Sequence, residues 1–596
     1  MPDLRTPSPA RGPLAAVVVR PAEEPAGPEV RLVYADLDLA ERGALRRSLR
    51  LAPDQALDDE GLVLAAYREW GPDAADRLGG AFAFAVWDGA RRSVVAARDP
   101  VGLRPLFWSS RDGAVVIGGD VRSLLATGLV PDDLDDDMIA GGLLEALFRP
   151  VYFGRTFLRA VGELLGGHRL TVGADGATTE RYWRPEDAPR LALRDVGEVG
   201  EALREILREV VREAVADEPP GSVGVHLSSG IDSTAVAAFT SEALSVAPPA
   251  FSWQPPPTPR TARSVEYQRI EAFAERWGLP VTYCPQSAEE MFQAHLLDAA
   301  VDPTTMWAPE TPVRRAAQAA GVRTLMSGWG GDEAISFSGR SLVTRHLVRT
   351  GQLGPVWAMI ARDPVYALRR VRGYSRRTSI GRRLQPLDAF RESALRGETA
   401  CFATPGLLRR ARIPAHEAPP WDPRVYMAWL LRRGHVASRT GAWARAGAPY
   451  GIRYRYPLLD RRVLAFAIGL PLEVWLRRDG LRRWPLRAAG EGLVPDVVRL
   501  GSKAEPMWLA SRQQSGEELV ARIAPLVTHD AAGARAEAID VPRVQAALGR
   551  LQRGRTPSEE DKAIVGAPSA AAFLGLGDAH GLLPPHVAAP TAPAGG

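Results

Sequence analysis

One stretch constrains this 596-residue chain more than any other. SVGVHL, a short apolar run from Ser222, passes through Leu227, Ser228, Ser229 and Gly230 straight into IDSTAVAAFTSEAL, which reads as a helix. A strand that ends in a small, hydroxyl-rich turn and restarts as a helix aims backbone N–H groups at one point, where an anion is stabilised. Ser228, Ser229 and Ser233 add hydroxyl donors, and Gly230 permits close backbone approach. Asp232 would repel a bare phosphate, but it makes sense as a ligand of Mg2+ bridging to phosphate oxygens. Serine also caps helices for purely structural reasons. The coincidence of strand, loop and helix favours a nucleotide site. It is not a Walker A loop, because GxxxxGK[ST] is absent.

The flanking pattern fixes the fold around this loop. VGEVGEALREILREVVREAVAD has apolar residues at helical spacing from Val196 to Val211. Beyond Pro219–Gly221, strands (SVGVHL, AFSW, PVTYC, VRTLMS) alternate with helices (IDSTAVAAFTSEAL, SVEYQRIEAFAERWG). That alternation predicts an α/β domain with a doubly wound parallel sheet. VRTLMS runs into a second glycine-rich turn, with Gly328, Trp329, Gly330, Gly331 and Asp332. Ligands of open α/β sheets lie beyond the carboxyl ends of the strands. Both turns are therefore expected to face one nucleotide, with Asp232 and Asp332 sharing a Mg2+ ion.

Upstream, the chain reads differently. Residues 1 to about 30 are Pro- and Ala-rich and read as a loose arm, followed near residue 60 by an amphipathic helix, LVLAAYREWG. AFAFAVWD, SVVAARD, PLFWSS and AVVIGGD are short β-rich runs punctuated by turns, and GELLGGHRLTVGADGATTERYW is a second β patch. The expected organisation is a domain over 1–190, an ATP-binding domain over 191–580 with an Arg-rich helical insert, and a disordered tail over 581–596.

Composition removes several classes. Lys+Arg 74 against Asp+Glu 70, interspersed, argues against nucleic acid as a partner. The two cysteines, Cys284 and Cys401, form neither a disulfide framework nor a CxxC pattern. Leu14–Val19 is too short for a signal peptide, and no run approaches the roughly 18 apolar residues of a membrane span, so no membrane partner is expected and a cytoplasmic location is. Lysine survives only at Lys503 and Lys562 in an arginine-rich chain, and two readings stand at this point: chance survival, or a need for lysine itself.

With both loops in hand, the chain resembles asparagine synthetase and its relatives. The first loop is similar to the SGGxDS pyrophosphate loop of N-type ATP pyrophosphatases, with Ser229 in place of the second glycine. A non-Gly residue there pays for any positive φ. RLGGAFAFAVWD and ARDPVGLRPLFW resemble the amidotransferase half of that family, which implies an Ntn-type N-terminal fold. YRYPLLDRRVLAFAIGLPLEV resembles its RxPxLD segment, and RRWPLRAAGEGLVPDVVRLGSKAEP its C-terminal signature. The resemblance implies ATP and Mg2+ as cofactors, with Leu227 and Ser252 joining the loop residues as nucleotide contacts. It implies that Lys503 stabilises negative charge during adenylation and amide formation.

Two departures refine the expectation. Pro2 stands where glutamine-using members have a cysteine nucleophile, so the N-terminal domain is expected to be degenerate, without glutaminase chemistry. Trp329 stands where asparagine synthetases have glutamate, and SGWGGDE looks most like the lasso peptide cyclases. Those enzymes join a peptide's α-amine to an Asp or Glu side chain as a macrolactam. Trp329 is then expected to be an apolar wall that folds the peptide and excludes water. The implied partners are a precursor peptide, a leader-peptide-binding protein and a leader peptidase. Two other readings stay open: a small-molecule amide ligase of asparagine or β-lactam synthetase type, and an inactive nucleotide-sensing scaffold.

Overall fold

The computed structural model describes residues 15–144, 154–285, 310–337, 347–362, 402–412, 422–432, 434–475, 481–501 and 537–552, with single gaps at 25, 53 and 134 and a few isolated further positions. Cys401, much of the Arg-rich insert, Lys503 and the C-terminal tail lie outside the described residues.

The N-terminal part consists of two antiparallel sheets. Strands β1 (Ala16–Val19), β2 (Val30–Ala40), β3 (Gly79–Asp88), β4 (Ser93–Arg98), β5 (Phe107–Arg111), β6 (Ala114–Gly118), β7 (Gly162–Glu163), β8 (His168–Gly173) and β9 (Gly176–Arg181) are ordered β1-β6-β5-β7 in one sheet and β2-β3-β4-β8-β9 in the other. A single apolar cluster, including Val33, Ala83, Ala85, Trp87, Ile117 and Leu170, draws on strands of both sheets. β3 and β4 are almost wholly buried, because apolar side chains project from both faces. Helix α1 (Asp59–Trp70) covers β2, its N-terminus capped by Asp58 accepting from the Gly61 N–H.

Two strands depart from expectation. β1 lies inside the stretch read as a loose arm, paired with β6 from Ala16↔Gly118 to Val19↔Val115. Its AVVV run is β-branched, but the surrounding prolines obscured it. β2, the longest strand among the described residues, was also not foreseen.

Beyond helix α2 (Val196–Val215) lies a five-stranded sheet in the order β12-β11-β10-β13-β14, with every pair parallel. The strands are β10 (Val223–His226), β11 (Ala250–Ser252), β12 (Val281–Tyr283), β13 (Thr324–Met326) and β14 (Arg453–Arg455). Helices α3 (Ile231–Leu244), α4 (Val265–Trp277) and α5 (Thr311–Ala319) fall between them in sequence, and α6 (His435–Gly447) precedes β14. The chain winds outward from β10 through β11 to β12, then returns to place β13 on the opposite side of β10. The carboxyl ends of β10 and β13 are therefore the switch point at which open α/β sheets bind ligands.

Charged contacts tie the two parts together. Arg455, at the end of β14, reaches Asp38 of β2 through Nε and Nη2 at 2.8 and 2.7 Å, and Glu218 at 2.9 Å. Arg104 adds a 3.3 Å contact to Asp38, and Arg461 holds Glu41 at 2.7 Å. Burial alone would raise the Asp38 pKa; the hydrogen bond and charge of Arg455, with Arg104 and Arg453, outweigh it and hold the carboxyl below its ordinary value.

Candidate active site

The loop after β10 is held by its own serines. The Ser233 hydroxyl accepts from the Ser228 N–H at 3.1 Å and lies 2.7 Å from the Ser228 hydroxyl, which accepts from the Gly230 N–H at 3.2 Å. Gly230 is the N-cap of α3 and provides no side-chain cap. The N–H groups of the first helical turn thus point outward without intrahelical partners, as anion binding requires. Ser229 lies outside the left-handed region, so the strain expected for replacing a glycine does not arise. Its hydroxyl instead donates to Glu266 at 3.4 Å, and the Gln254 amide donates to the same oxygen at 2.9 Å.

The second loop packs directly on the first. A Cβ on Gly328 would lie 2.5 Å from the Asp232 carbonyl and the Ser233 nitrogen. One on Gly331 would lie 2.5 Å from Asp232 Oδ1. Gly330 has φ +97°, and a Cβ there would strike the Leu459 side chain. These glycines are therefore required by the closeness of the two turns, and by a left-handed backbone at Gly330.

The two turns border one cleft of about 410 Å³. It gathers Leu227, Ser228, Ser229, Gly230, Asp232, Ser233, Ser252, Gly328, Trp329, Gly330, Gly331 and Asp332, the site residues expected from the sequence except Lys503. Gly501 also lines the cleft, and Lys503 follows two residues later, outside the described residues.

Arg483 was not anticipated, although it lies in the RRWPLRAAG stretch noted above. It sits between the two acids, with Nη1 3.0 Å from Asp232 Oδ2 and Nη2 against Asp332 Oδ1. Its backbone is left-handed at φ 63°, the kind of strain that gathers at functional sites. Burial would lower its pKa, but Asp232 and Asp332 outweigh this and raise it. The guanidinium is a planar fork suited equally to carboxylates and phosphate. Arg487 steadies the same segment, donating from Nε to the Arg482 carbonyl at 2.8 Å and from Nη2 to the Gly501 carbonyl at 3.1 Å.

The donor set fits magnesium nucleotide. Among the described residues no group of three or more His, Cys, Asp or Glu side chains forms a self-sufficient metal cage. Magnesium at nucleotide sites needs only one or two carboxylates, with phosphates and water completing its shell. Asp232 and Asp332, both now held by Arg483, would supply that pair.

Aromatic rings line the inner side of the cleft. Trp329 packs 6.1 Å from Trp443 and 6.2 Å from Tyr456, with the Arg439 guanidinium 5.2 Å from its ring centre. Trp329 is thus one face of a larger aromatic cluster. No helix among the described residues is long and apolar enough to cross a membrane.

Comparison with known proteins supplies the context. The asparagine synthase family model matches residues 202–571, and a glutamine amidotransferase domain model matches 44–183. Glutamine-hydrolysing asparagine synthetase 3 of Bacillus subtilis is 31% identical over 199 residues, covering 33% of this chain and 31% of that protein. The amidase chyE of Penicillium rubens is 30% identical over 186 residues, 31% of this chain and 26% of its own length. Glutamine-hydrolysing asparagine synthetase 1 of B. subtilis is 29% identical over 188 residues, 31% and 28% of the two chains. The match spans about a third or less of the length of these relatives.

Proposed function

Because the chain belongs to the asparagine synthase family, we propose that it is an ATP-dependent amide-forming ligase that adenylates a carboxylate, releases pyrophosphate and passes the acyl group to an amine. The observation that carries this reading is the pairing of Asp232 and Asp332 on two abutting loops at the switch point of the parallel sheet. Bound Mg2+ would neutralise phosphate charge there, with Asp232 and Asp332 as its protein ligands. The first-turn N–H groups of α3 would receive the phosphates. Arg483, released from the carboxylates, is placed to hold the departing negative charge.

The finer reading is a macrolactam synthetase of lasso peptide type. The acyl donor would be an Asp or Glu side chain of a precursor peptide, the nucleophile that peptide's α-amine, and the products a cyclised peptide, AMP and pyrophosphate. Its support is Trp329, which offers no basic atom where an ammonia-handling site wants a carboxylate, and the aromatic cluster behind it. A leader-peptide-binding protein, a leader peptidase and a cytoplasmic location belong to the same proposal. A small-molecule amide ligase is the second reading, favoured by the asparagine synthetases among the relatives.

ATP–pyrophosphate exchange tests both levels. Exchange should depend on a carboxylate substrate and be lost in Asp232→Asn and Asp332→Asn. Linear peptides with a free amino terminus and one internal Asp or Glu should support it, and L-aspartate should not. Exchange with aspartate alone would select the second reading. Wild-type exchange in either Asn variant would remove the shared-metal assignment.

A further inference from the structure

β10 is the central strand of the sheet and wholly buried, yet its last residue is a histidine. His226 Nε2 lies against Oε1 of Glu310, at the N-cap of α5. The histidine is 6% exposed and the glutamate 1%. The His226 ring lies 5.4 Å from Trp253, 5.8 Å from Trp443 and 6.0 Å from Tyr454, and Tyr456 stacks on Trp443 and Tyr454.

This cluster is polar in an unusual way. His226 Nδ1, Glu310 Oε2, Trp253 Nε1, Trp443 Nε1 and the Tyr456 hydroxyl are all buried and have no hydrogen-bond partner among the described residues. Buried polar atoms are nearly always satisfied, so five orphans in one aromatic chamber call for an occupant that hydrogen-bonds there. The chamber opens on the reaction site, because His226, Trp253 and Trp329 all line the nucleotide cleft.

We propose that the His226–Glu310 pair accepts the proton released when the amine is acylated. This rests on the amide-ligase reading. A neutral amine attacks the acyl-adenylate carbonyl, the new C–N bond forms, and nitrogen acquires positive charge. One N–H proton must then leave as the C–O bond to AMP breaks. His226 Nδ1 takes that proton, and Glu310, facing Nε2, stabilises the imidazolium. The products are the amide, AMP and His226 in its protonated form, which returns its proton to water between turnovers. A peptide α-amine, with an ordinary pKa of roughly 7.7–8.0, is partly neutral at neutral pH, but that covers only the proton lost before attack; the second proton still needs an acceptor.

The neighbours favour this assignment. Burial pushes the Tyr454 and Tyr456 phenols up, so both stay protonated and neither competes as acceptor. Arg314 donates to the Tyr454 hydroxyl at 2.8 Å, and Arg439 lies 5.0 Å from the Trp443 ring centre. Glu310 and His226 complete the inner ring of charged or titratable groups, with Arg104 acting on Tyr456 and Tyr450 on Tyr454 from farther out. The two guanidinium charges disfavour storage of a free ammonium ion in the chamber.

The test compares two nucleophiles on one adenylate. Wild type and His226→Gln are given MgATP and either linear peptides bearing an internal Asp or Glu, or L-aspartate with ammonium chloride. Amide product is measured alone and with hydroxylamine in bulk. Hydroxylamine traps the adenylate as hydroxamate, and a second hydroxylamine molecule takes its proton. The ratio of amide to hydroxamate should fall about 100-fold in His226→Gln, the scale of general-base catalysis. Glu310→Gln should lower the same ratio and serves as the second variant if the first folds poorly. An unchanged ratio in both variants, whatever the total rate, means the pair is structural and the proposal fails. No hydroxamate from wild type with any substrate means that the ligase reading itself fails, and this inference with it.

Discussion

Gly328→Ala isolates the contact between the two loops. Its φ is not left-handed, so alanine brings no backbone strain, only a methyl group. That methyl would lie 2.5 Å from the carbonyl carbon and oxygen of Asp232 and from the Ser233 nitrogen. Carbon atoms in contact sit at about 3.5–4.0 Å, so the loops must part by about 1 Å. The obstructing atoms are backbone at the start of α3 and do not yield as a side-chain end would. Overpacking of this kind costs about 1–3 kcal/mol, and a displacement of about 1 Å at a reacting centre costs about 100-fold in rate. The variant should fold, melt a few degrees lower, bind MgATP at least about tenfold more weakly by calorimetry, and lose about 100-fold in pyrophosphate exchange. Gly321→Ala is the comparison: φ is +74° and nothing lies within 4 Å, so it carries backbone strain alone and should leave exchange intact. Wild-type nucleotide affinity and exchange in Gly328→Ala would refute the argument that these loops form one rigid cradle.

Three further outcomes are expected. Lys503→Arg should lose at least about 100-fold in product formation despite keeping its charge, because a compact ammonium and a broad guanidinium are not interchangeable; near-normal turnover would make Lys503 a bystander. Trp329→Phe keeps a ring against Trp443 and Tyr456 and should retain cyclisation, whereas Trp329→Ala should divert adenylate to hydrolysis, read by mass spectrometry as the ratio of macrocycle to linear peptide plus AMP. Asp38→Asn removes the carboxylate between Arg455 and Arg104, which keep Glu218 and Asp36, and should cost about 1.5–3 kcal/mol in denaturant unfolding. Since the folded Asp38 pKa lies below the unfolded one, its stabilisation is present above about pH 3.9 and lost as pH falls through the lower folded value; in the variant that acid-dependent component should vanish.

The sequence was most legible where local and tertiary demands coincide. IDSTAVAAFTSEAL is helical from Ile231 to Leu244 as its pattern requires, and the two strand–turn segments converge on one cleft. Legibility fell where a signal was spread along the chain. β14 is three residues long, RYR, and only its partner β13 makes it a strand. Arg483 is one of many arginines, and its role follows from distances to two acids that lie 251 and 151 residues away. His226 and Glu310 are 84 positions apart by their numbering and become a pair only when β10 and α5 pack. Ser229 was the opposite case, since its composition signalled a strain that the backbone avoids.

The amidotransferase-like part has a mechanical task whether or not it performs chemistry. Side chains alternate along a strand, and β14 uses that alternation to separate two functions. Tyr454 and Tyr456 face the chamber, while Arg455 between them grips Asp38 of β2. Helix α6 divides in the same manner. Arg439 and Trp443, four residues apart, point to the aromatic cluster. On its other side Thr440 donates to the Gly102 carbonyl at 3.2 Å, and a Cβ on Gly102 would lie 2.7 Å from that of Ala437. Two walls of the chamber therefore rest on strands and turns of the N-terminal sheets. A loosened Asp38 contact should shift Tyr454 and Tyr456 before it reaches Asp232, so the second half-reaction should be more sensitive to this interface than the first.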